Sequence, residues 1–170
     1  DRFYKEFTSV EDVVFRKTAD PVWQLKKALR NNSPFLLLLD SCNIMHEMKS
    51  IFSPYYKKGK GFDENGRIHL LKLVDSIVKK SDKVAVEVYF DSGASASEEQ
   101  WSKNVRAVYS GIPNKHSADE RIIGELEFDL HECSTIPRCL VSNDRGLSKD
   151  AYEREAHIMS VHQFSALFFQ

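Results

Sequence analysis

The stretch that decides the fold is Phe35-Leu36-Leu37-Leu38-Leu39-Asp40-Ser41-Cys42-Asn43, in which five successive apolar residues end at a carboxylate. A short, unbroken apolar run is typical of a strand buried on both faces of a parallel sheet, although a buried helix segment could carry the same residues. Ser33-Pro34 just before it favours the strand, because the residue before a proline is disfavoured in a helix. Ligands of open parallel sheets bind beyond the carboxyl ends of the strands, where Asp40 stands.

The rest of the chain alternates between strand and helix patterns. A helix is predicted to begin at Asp20-Pro21, because Asp suits the capping position and Pro the first helical position. Further strands are predicted at residues 83–90, 105–109, 138–141 and 157–161. Helices are predicted at residues 44–52, 67–80, 117–130, 147–155 and 163–169, with a loop at residues 53–66 and a loop or brief helix at residues 94–103. This alternation predicts an α/β fold with a mostly parallel five-stranded sheet and helices on both faces.

Length and composition are those of an ordinary globular domain. The chain has 170 residues, 42% of them hydrophobic and 29% charged, and we interpret residues 1–19 as an N-terminal extension and residues 20–170 as a single domain. No apolar run approaches the roughly 18 residues of a membrane helix, so no membrane partner is expected. The net charge of −1 means that any nucleic acid must be bound by a local basic patch.

The cysteines indicate a reducing environment. Cys42, Cys133 and Cys139 are odd in number, and no two of them have CxxC spacing. This pattern argues against a disulfide framework and against a zinc site. We therefore expect the protein in the cytoplasm or in an organelle matrix.

Carboxylates follow several of the predicted strands. Asp40, Asp91 and Asp144 stand at the ends of three strands, and Asp119-Glu120 begins the helix after another. In a parallel sheet these points lie on one edge, where crowded carboxylates repel one another unless a cation joins them. Mg²⁺ and Mn²⁺ take oxygen ligands, and such an ion can activate water and stabilise charge on a phosphoryl group. The pattern predicts a divalent metal site at this edge.

Each carboxylate also has a structural interpretation. Asp and Asn are ordinary turn formers after a strand, and Asp144 could cap the following helix. Ser117 and Glu120 have the spacing of a capping box. One shared site, however, explains all these positions together. Other chemistries are less well supported, because the chain has no GxGxxG, GxxxxGK[ST], GxSxG or HExxH motif. Cys42 is a poor nucleophile candidate, since a neighbouring carboxylate raises the pKa of a thiol.

The motifs together resemble the NYN domains of the PIN-like nuclease group, most closely its YacP-like branch, over residues 35–168. They are Asp40-x-x-Asn43, Val88-Tyr89-Phe90-Asp91, Ser117-Ala118-Asp119-Glu120-Arg121-Ile122 and Val141-Ser142-Asn143-Asp144. The resemblance implies a PIN-like three-layer α/β sandwich and metal-dependent hydrolysis of RNA, with Mg²⁺ or Mn²⁺. It departs from the branch at Ser41-Cys42, where the family has Gly-Tyr, and in a longer loop at residues 53–66.

The resemblance also implies roles for individual residues and partners. It makes Asp40, Asp91, Asp119 and Asp144 both the catalytic residues and the metal ligands, and it places Asn43, Ser142 and Asn143 at the substrate. Whether Glu120 is a ligand or a helix cap stays open. The branch includes a ribosome-associated mRNA endonuclease of bacteria, so single-stranded RNA, messenger or ribosomal RNA and the ribosome are the implied partners.

The substrate surface is predicted in the loop Tyr55-Tyr56-Lys57-Lys58-Gly59-Lys60-Gly61-Phe62. Lysines neutralise phosphates and aromatic rings stack on unpaired bases, although a solvated lysine loop would have the same composition. Lys115-His116 and the region of Trp101, Lys103 and Arg106 are second candidates. Two other functions stay open at this point: a non-catalytic RNA- or ribosome-binding module, and a DNA-directed nuclease of the same fold.

Overall fold

The computed structural model describes residues 20–91, 95–111 and 117–169, and for Ser117 the backbone alone. The predicted extension at residues 1–19 and Lys115 lie outside the described residues. The helices are α1 Pro21–Asn31, α2 Ser41–Glu47, α3 Lys49–Phe52, α4 Glu64–Val78, α5 Ser117–His131, α6 Arg145–Glu153 and α7 Val161–Ala166. The strands are β1 Phe35–Asp40, β2 Tyr56–Lys57, β3 Gly61–Phe62, β4 Val84–Phe90, β5 Ser97–Gln100, β6 Val105–Tyr109, β7 Arg138–Val141 and β8 His157–Met159.

Strand β1 lies inside the main sheet, as its continuous apolar run predicts. In the described part of the chain this sheet has six strands in the order β5-β6-β4-β1-β7-β8, and only β5 runs antiparallel to its neighbour. Asp40 pairs in register with Tyr89 of β4, and Leu39 pairs with Val141 of β7. The carboxyl ends of β4, β1 and β7 therefore lie side by side. Strand β1 ends at Asp40, Asp91 directly follows β4, and Asp144 lies shortly after β7.

The sheet is covered on both faces, which gives the expected three layers. Alternate residues of β1 point to opposite faces, so Leu37 and Leu39 join one buried cluster and Leu38 joins the other. The first cluster is closed mainly by α1, α2, α4 and α7, and the second by α5 and α6. No helix in the described ranges is long and apolar enough to span a bilayer.

Two stretches expected to lack strands contain them. Residues 97–100, within the predicted loop or brief helix, form the edge strand β5, so the sheet has six strands rather than five. All four residues of β5 are exposed and polar, so no apolar alternation marks the strand. Residues 56–62, within the predicted loop, form the β2–β3 hairpin, whose turn needs positive φ at Gly59 (81°) and Gly61 (74°).

Several helix boundaries also differ from the sequence prediction. Helix α4 begins at Glu64 rather than Arg67, because Asp63 caps it by accepting the N–H of Gly66 at 3.0 Å. Gly66 is needed inside the helix, since a Cβ there would stand 2.7 Å from Cβ of Tyr55. Helix α6 begins two residues earlier than predicted, and α7 begins at Val161, which the prediction placed in the last strand. Ser160 and Gln163 form a capping box that ends β8 early.

Candidate active site

Asp40 is buried at the end of the central strand, with 5% of its surface exposed. Its Oδ2 accepts a hydrogen bond of 2.9 Å from the Ser142 hydroxyl, whose oxygen in turn accepts the N–H of Asp144 at 3.0 Å. Burial raises the pKa of Asp40 to about 6. The hydrogen bonds from Ser142 and the Asn43 backbone oppose this rise, and the charges of Asp144 and Asp91 add to it. Asp40 is therefore a positioned carboxyl group in an electronegative environment.

Asp144 both caps a helix and belongs to the acidic edge, the name used here for the carboxyl edge of the sheet with Asp40, Asp91, Asp119 and Asp144. Its Oδ1 accepts the N–H of Leu147 at 2.9 Å, so the capping interpretation is confirmed for α6. Its side chain is nevertheless exposed, and its charge acts on both Asp40 and Asp119. The cap uses one carboxylate oxygen, and the two interpretations that the sequence offers are compatible.

Asp91 connects the end of β4 to the start of α5. Its Oδ1 accepts the N–H of Ala118 at 2.9 Å. This bond fixes the first turn of α5 beside the sheet edge and brings Asp119 to the other aspartates. Asp91 and Asp119 are far apart in the sequence, and the sheet topology brings them to the same edge.

Asp119 and Glu120 differ in environment although they are neighbours. Asp119 is half-buried, and burial raises its pKa to about 7, with further contributions from Asp40, Asp144, Asp91 and Asp150. Glu120 is exposed. The structure thus places the four aspartates predicted from the sequence at one edge of the sheet, where the charges of the others act on Asp40 and Asp119. It adds the charge of Asp150 in α6, which sequence reasoning missed because this residue lies inside a polar helix rather than at a strand end.

The thiol of Cys42 lies in the electrostatic field of the same aspartates. Burial and the charges of Asp40, Asp91 and Asp119 raise the pKa of its thiol to about 11. The thiol is protonated at neutral pH, which confirms that Cys42 is a poor nucleophile. All three cysteines are free, as their spacing predicts.

The residues predicted to bind the substrate, Asn43, Ser142 and Asn143, form hydrogen bonds between the segments at the carboxyl edge of the sheet. The Oδ1 of Asn43 accepts the N–H of Asn143 at 2.7 Å, and the Oδ1 of Asn143 accepts the N–H of Val161 at 2.9 Å. These bonds join the segments after β1, β7 and β8. Ser142 is buried and directs its hydroxyl to Asp40. Direct contact of these three residues with a substrate stays a prediction.

Carboxylate oxygens are the donors at this edge, and they are the ligands that Mg²⁺ and Mn²⁺ take, so a site for either ion stays a prediction here. Among the described residues, no group of three or more His, Cys, Asp or Glu side chains is arranged so that it could hold a metal ion. Mg²⁺ does not need three such side chains, because it keeps several waters and is usually held by one or two carboxylates. Aspartate oxygens fit such a partly hydrated hard cation better than they fit zinc, which prefers nitrogen and sulfur ligands.

A cleft connects the β2–β3 hairpin to this edge. It has a volume of about 180 Å³ and runs from Lys60 and Phe62 of the hairpin to Ser41 and Asp91 at the strand ends. The two helices between β1 and the hairpin, α2 and α3, are short, and the hairpin lies near the same edge of the sheet as Asp40. The predicted substrate segment therefore lies beside the predicted acidic site.

The hairpin lysines differ from the second candidates. Lys57, Lys58 and Lys60 are exposed on the hairpin. Lys103 instead forms an ion pair with Asp82, and Arg106 forms ion pairs with Glu87 and Glu98. The positive charges near Trp101 are thus already balanced, which favours the hairpin as the phosphate-binding surface.

Comparisons with known proteins support the fold. No protein-family model matches the chain, and no curated protein matches it. Among solved structures, the chain is similar to a crystal structure of a mutant of Rae1 (YacP) from Bacillus subtilis, with a TM-score of 0.50. The two sequences are 16% identical, and the match covers 76% of this chain and 71% of that chain. At this identity the likeness shows a YacP-like fold alone, and membership of the NYN domains stays a prediction.

Proposed function

We propose that this protein is a metal-dependent endoribonuclease that hydrolyses phosphodiester bonds of RNA at Asp40, Asp91, Asp119 and Asp144. The observation that carries the proposal is the placement of these four side chains at the carboxyl edge of a parallel sheet, where Asp40 accepts the Ser142 hydroxyl and Asp91 accepts an N–H from the first turn of α5. Such an arrangement costs stability in a metal-free protein, so a purely structural role explains it poorly. The YacP-like fold supports the same reaction class.

The residues around the proposed site have different roles in the reaction. Ser142 orients the carboxylate of Asp40, and Asp91 fixes the helix that carries Asp119. A bound Mg²⁺ or Mn²⁺ would supply an activated water and stabilise the charge that develops on the phosphoryl group. Lys57, Lys58 and Lys60 attract the phosphates of the strand.

The proposal also covers the kind of RNA that is cleaved and the compartment in which the protein acts. We expect single-stranded RNA, and messenger or ribosomal RNA on the ribosome is the substrate class implied by the YacP-like resemblance. The three free cysteines support a reducing compartment, the cytoplasm or an organelle matrix.

The second candidate is a non-catalytic RNA- or ribosome-binding module. It is favoured by the finding that, among the described residues, no group of three His, Cys, Asp or Glu side chains could hold a metal ion. Incubation of labelled single-stranded RNA and DNA with Mn²⁺, Mg²⁺ or EDTA separates the candidates. Metal-dependent cleavage of RNA supports the nuclease, and preferential cleavage of DNA would change the substrate. Binding without cleavage under every condition would support the module.

Substitutions of Asp119 and Glu120 are expected to have different effects on cleavage. Asp119→Asn should reduce single-turnover cleavage by about 100-fold or more, because it removes one of the charges at the reacting centre. Glu120→Gln should leave turnover almost unchanged, since this side chain is exposed and Gln can still serve a capping box. Thermal melting of both variants checks that the fold is kept. A larger loss of turnover in Glu120→Gln at unchanged melting temperature would reverse the assignment.

The hairpin lysines are expected to govern affinity rather than chemistry. Changing Lys57, Lys58 and Lys60 together to Ala should weaken binding of single-stranded RNA and reduce the salt slope by at most about two units, because each phosphate contact contributes about 0.7. Single-turnover cleavage at saturating RNA should change little. The measurement is a binding titration across a salt series.

The matched control removes the same charge from the opposite edge of the sheet. Lys72, Lys79 and Lys80 are exposed on or just after α4, and the last two precede β4 rather than follow it. Their triple Ala variant should keep the wild-type salt slope. Equal slopes for all three proteins would mean that the hairpin is only a solvated surface.

A further inference from the structure

The β2–β3 hairpin carries a compact group of aromatic rings. Tyr56 and Phe62 are paired across the hairpin, with ring centroids 5.2 Å apart, and His46 of α2 packs on both, at 5.5 Å from Tyr56 and 4.8 Å from Phe62. All three contacts are edge-to-face. The Arg67 guanidinium donates to the Phe62 carbonyl at 3.0 Å and holds the hairpin against α4. The rings are therefore held in place by the fold.

Two of these rings line the cleft beside the acidic edge. His46 and Phe62 contribute to its wall, and Asp91 and Ser41 lie in the same cleft. The cleft has a volume of about 180 Å³, which is smaller than the roughly 300 Å³ of typical drug-sized sites and suits one planar ring system better than a base pair.

The remaining lining matches the backbone of a nucleic acid. Lys60 and Arg67 bring positive charge to the cleft, and His46 is exposed while Phe62 is half-buried. Aromatic rings stack on unpaired bases, and cations beside them neutralise the attached phosphates. One end of the cleft suits a base, and the other is occupied by a carboxylate of the acidic edge. A nucleotide that fills it has its phosphate next to the reacting centre.

We propose that the cleft formed by His46, Phe62, Lys60 and Arg67 is a binding slot for one unpaired nucleobase next to the scissile phosphate. This inference rests on the proposed function and narrows its substrate to RNA that is unpaired at the cleavage position. A base that is paired in a duplex is not free to stack in this slot, so duplex RNA should be cleaved more slowly than unpaired RNA.

The test compares an intact single-stranded RNA with copies in which one nucleotide at a time lacks its base. Such a copy keeps every phosphate, so the general electrostatic attraction is unchanged. The wild-type protein in Mn²⁺ should cleave about 10-fold more slowly at one fixed offset from the missing base, because stacking of that base is lost. Cleavage at other positions should continue. Equal cleavage of the intact and base-deleted RNAs at every position would overturn the slot.

Two matched variants assign the effect to the ring. Phe62→Leu keeps an apolar side chain for the hairpin but removes the aromatic face, and Phe128→Leu makes the same change at a site 60% exposed that does not line the cleft. Phe62→Leu should cleave intact RNA about as slowly as the wild type cleaves the base-deleted RNA, with no further loss on the latter. Phe128→Leu should behave as the wild type. A Phe62→Leu protein that still distinguishes the two RNAs would contradict the assignment.

Failure of the slot and failure of the proposed function give different results. If the wild type cleaves intact RNA but ignores the missing base, only the slot is wrong. If no RNA is cleaved, the proposed function is wrong, and a binding titration with the same RNA pair still decides the slot. Tighter binding of the intact RNA by the wild type, lost in Phe62→Leu, supports it. Equal affinities overturn it.

Discussion

Replacing Asp40 by Asn is expected to reduce RNA cleavage by about 100- to 1,000-fold while the fold is kept. Asp40 is buried at the end of the central strand, where its carboxylate accepts the Ser142 hydroxyl. Asn has the same shape and its side-chain oxygen can accept the same hydrogen bond. The substitution therefore removes the negative charge and leaves the packing. Single-turnover cleavage in Mn²⁺ measures the loss.

The control is Asp82→Asn, which removes a carboxylate before β4, at the opposite edge of the sheet from Asp91. Asp82 is exposed and forms an ion pair with Lys103, so its loss should affect cleavage little. Circular dichroism and melting temperature show whether both variants are folded. An Asp40→Asn protein with full activity in Mn²⁺ would show that the acidic edge is not the reacting centre.

The position of the acidic edge could be predicted because it depends on local signals. An apolar run followed by Asp places a carboxylate at the end of a strand, and the strand–helix alternation places all such ends on one edge. The same signals could not decide between a capping Asp and a functional Asp at residue 144. The structure shows that one oxygen of Asp144 caps α6 while its charge still acts on Asp40.

The parts that could not be predicted depend on contacts between distant segments. The bond from Asn143 N–H to Asn43 Oδ1 joins residues 100 positions apart, and nothing near either Asn announces it. Strand β5 is polar and exposed, and it is a strand only because β6 offers it a free edge. Gly66 indicates a loop when read locally, whereas its real requirement is the close approach of Tyr55.

The metal-free protein is expected to lose stability as the pH rises from about 4 to about 7. The pKa of Asp40 is raised from 3.8 to about 6 and that of Asp119 from 3.8 to about 7. Between the unfolded and the folded pKa values, the folded protein binds more protons than the unfolded chain. Its free energy of unfolding therefore falls with rising pH and levels off above about pH 7. The shift of Asp40 alone corresponds to about 3 kcal/mol, and the half-exposed Asp119 adds less because solvent screens it.

The measurement is urea unfolding in EDTA at several pH values, for the wild type and for Asp40→Asn. The half-buried His157 has a lowered pKa and acts in the opposite direction, because the unfolded chain binds its proton more readily below about pH 6.5. This contribution is common to both proteins and cancels in their difference. Asp40→Asn removes the Asp40 carboxyl and also one of the charges that add to the burial-driven rise in the pKa of Asp119. The variant should therefore be the more stable protein at pH 8, and its advantage should shrink towards pH 4.

Binding of a divalent metal should reverse the stability difference between the wild type and Asp40→Asn at pH 8. Mn²⁺ or Mg²⁺ binds ionised carboxylates, so it should raise the wild-type free energy of unfolding at pH 8 much more than at pH 5. The same ion should stabilise Asp40→Asn less, because one charged oxygen donor is missing. Equal stabilisation of both proteins by Mn²⁺, together with parallel pH profiles in EDTA, would mean that the charge of Asp40 is neither a burden in the metal-free fold nor part of a cation site.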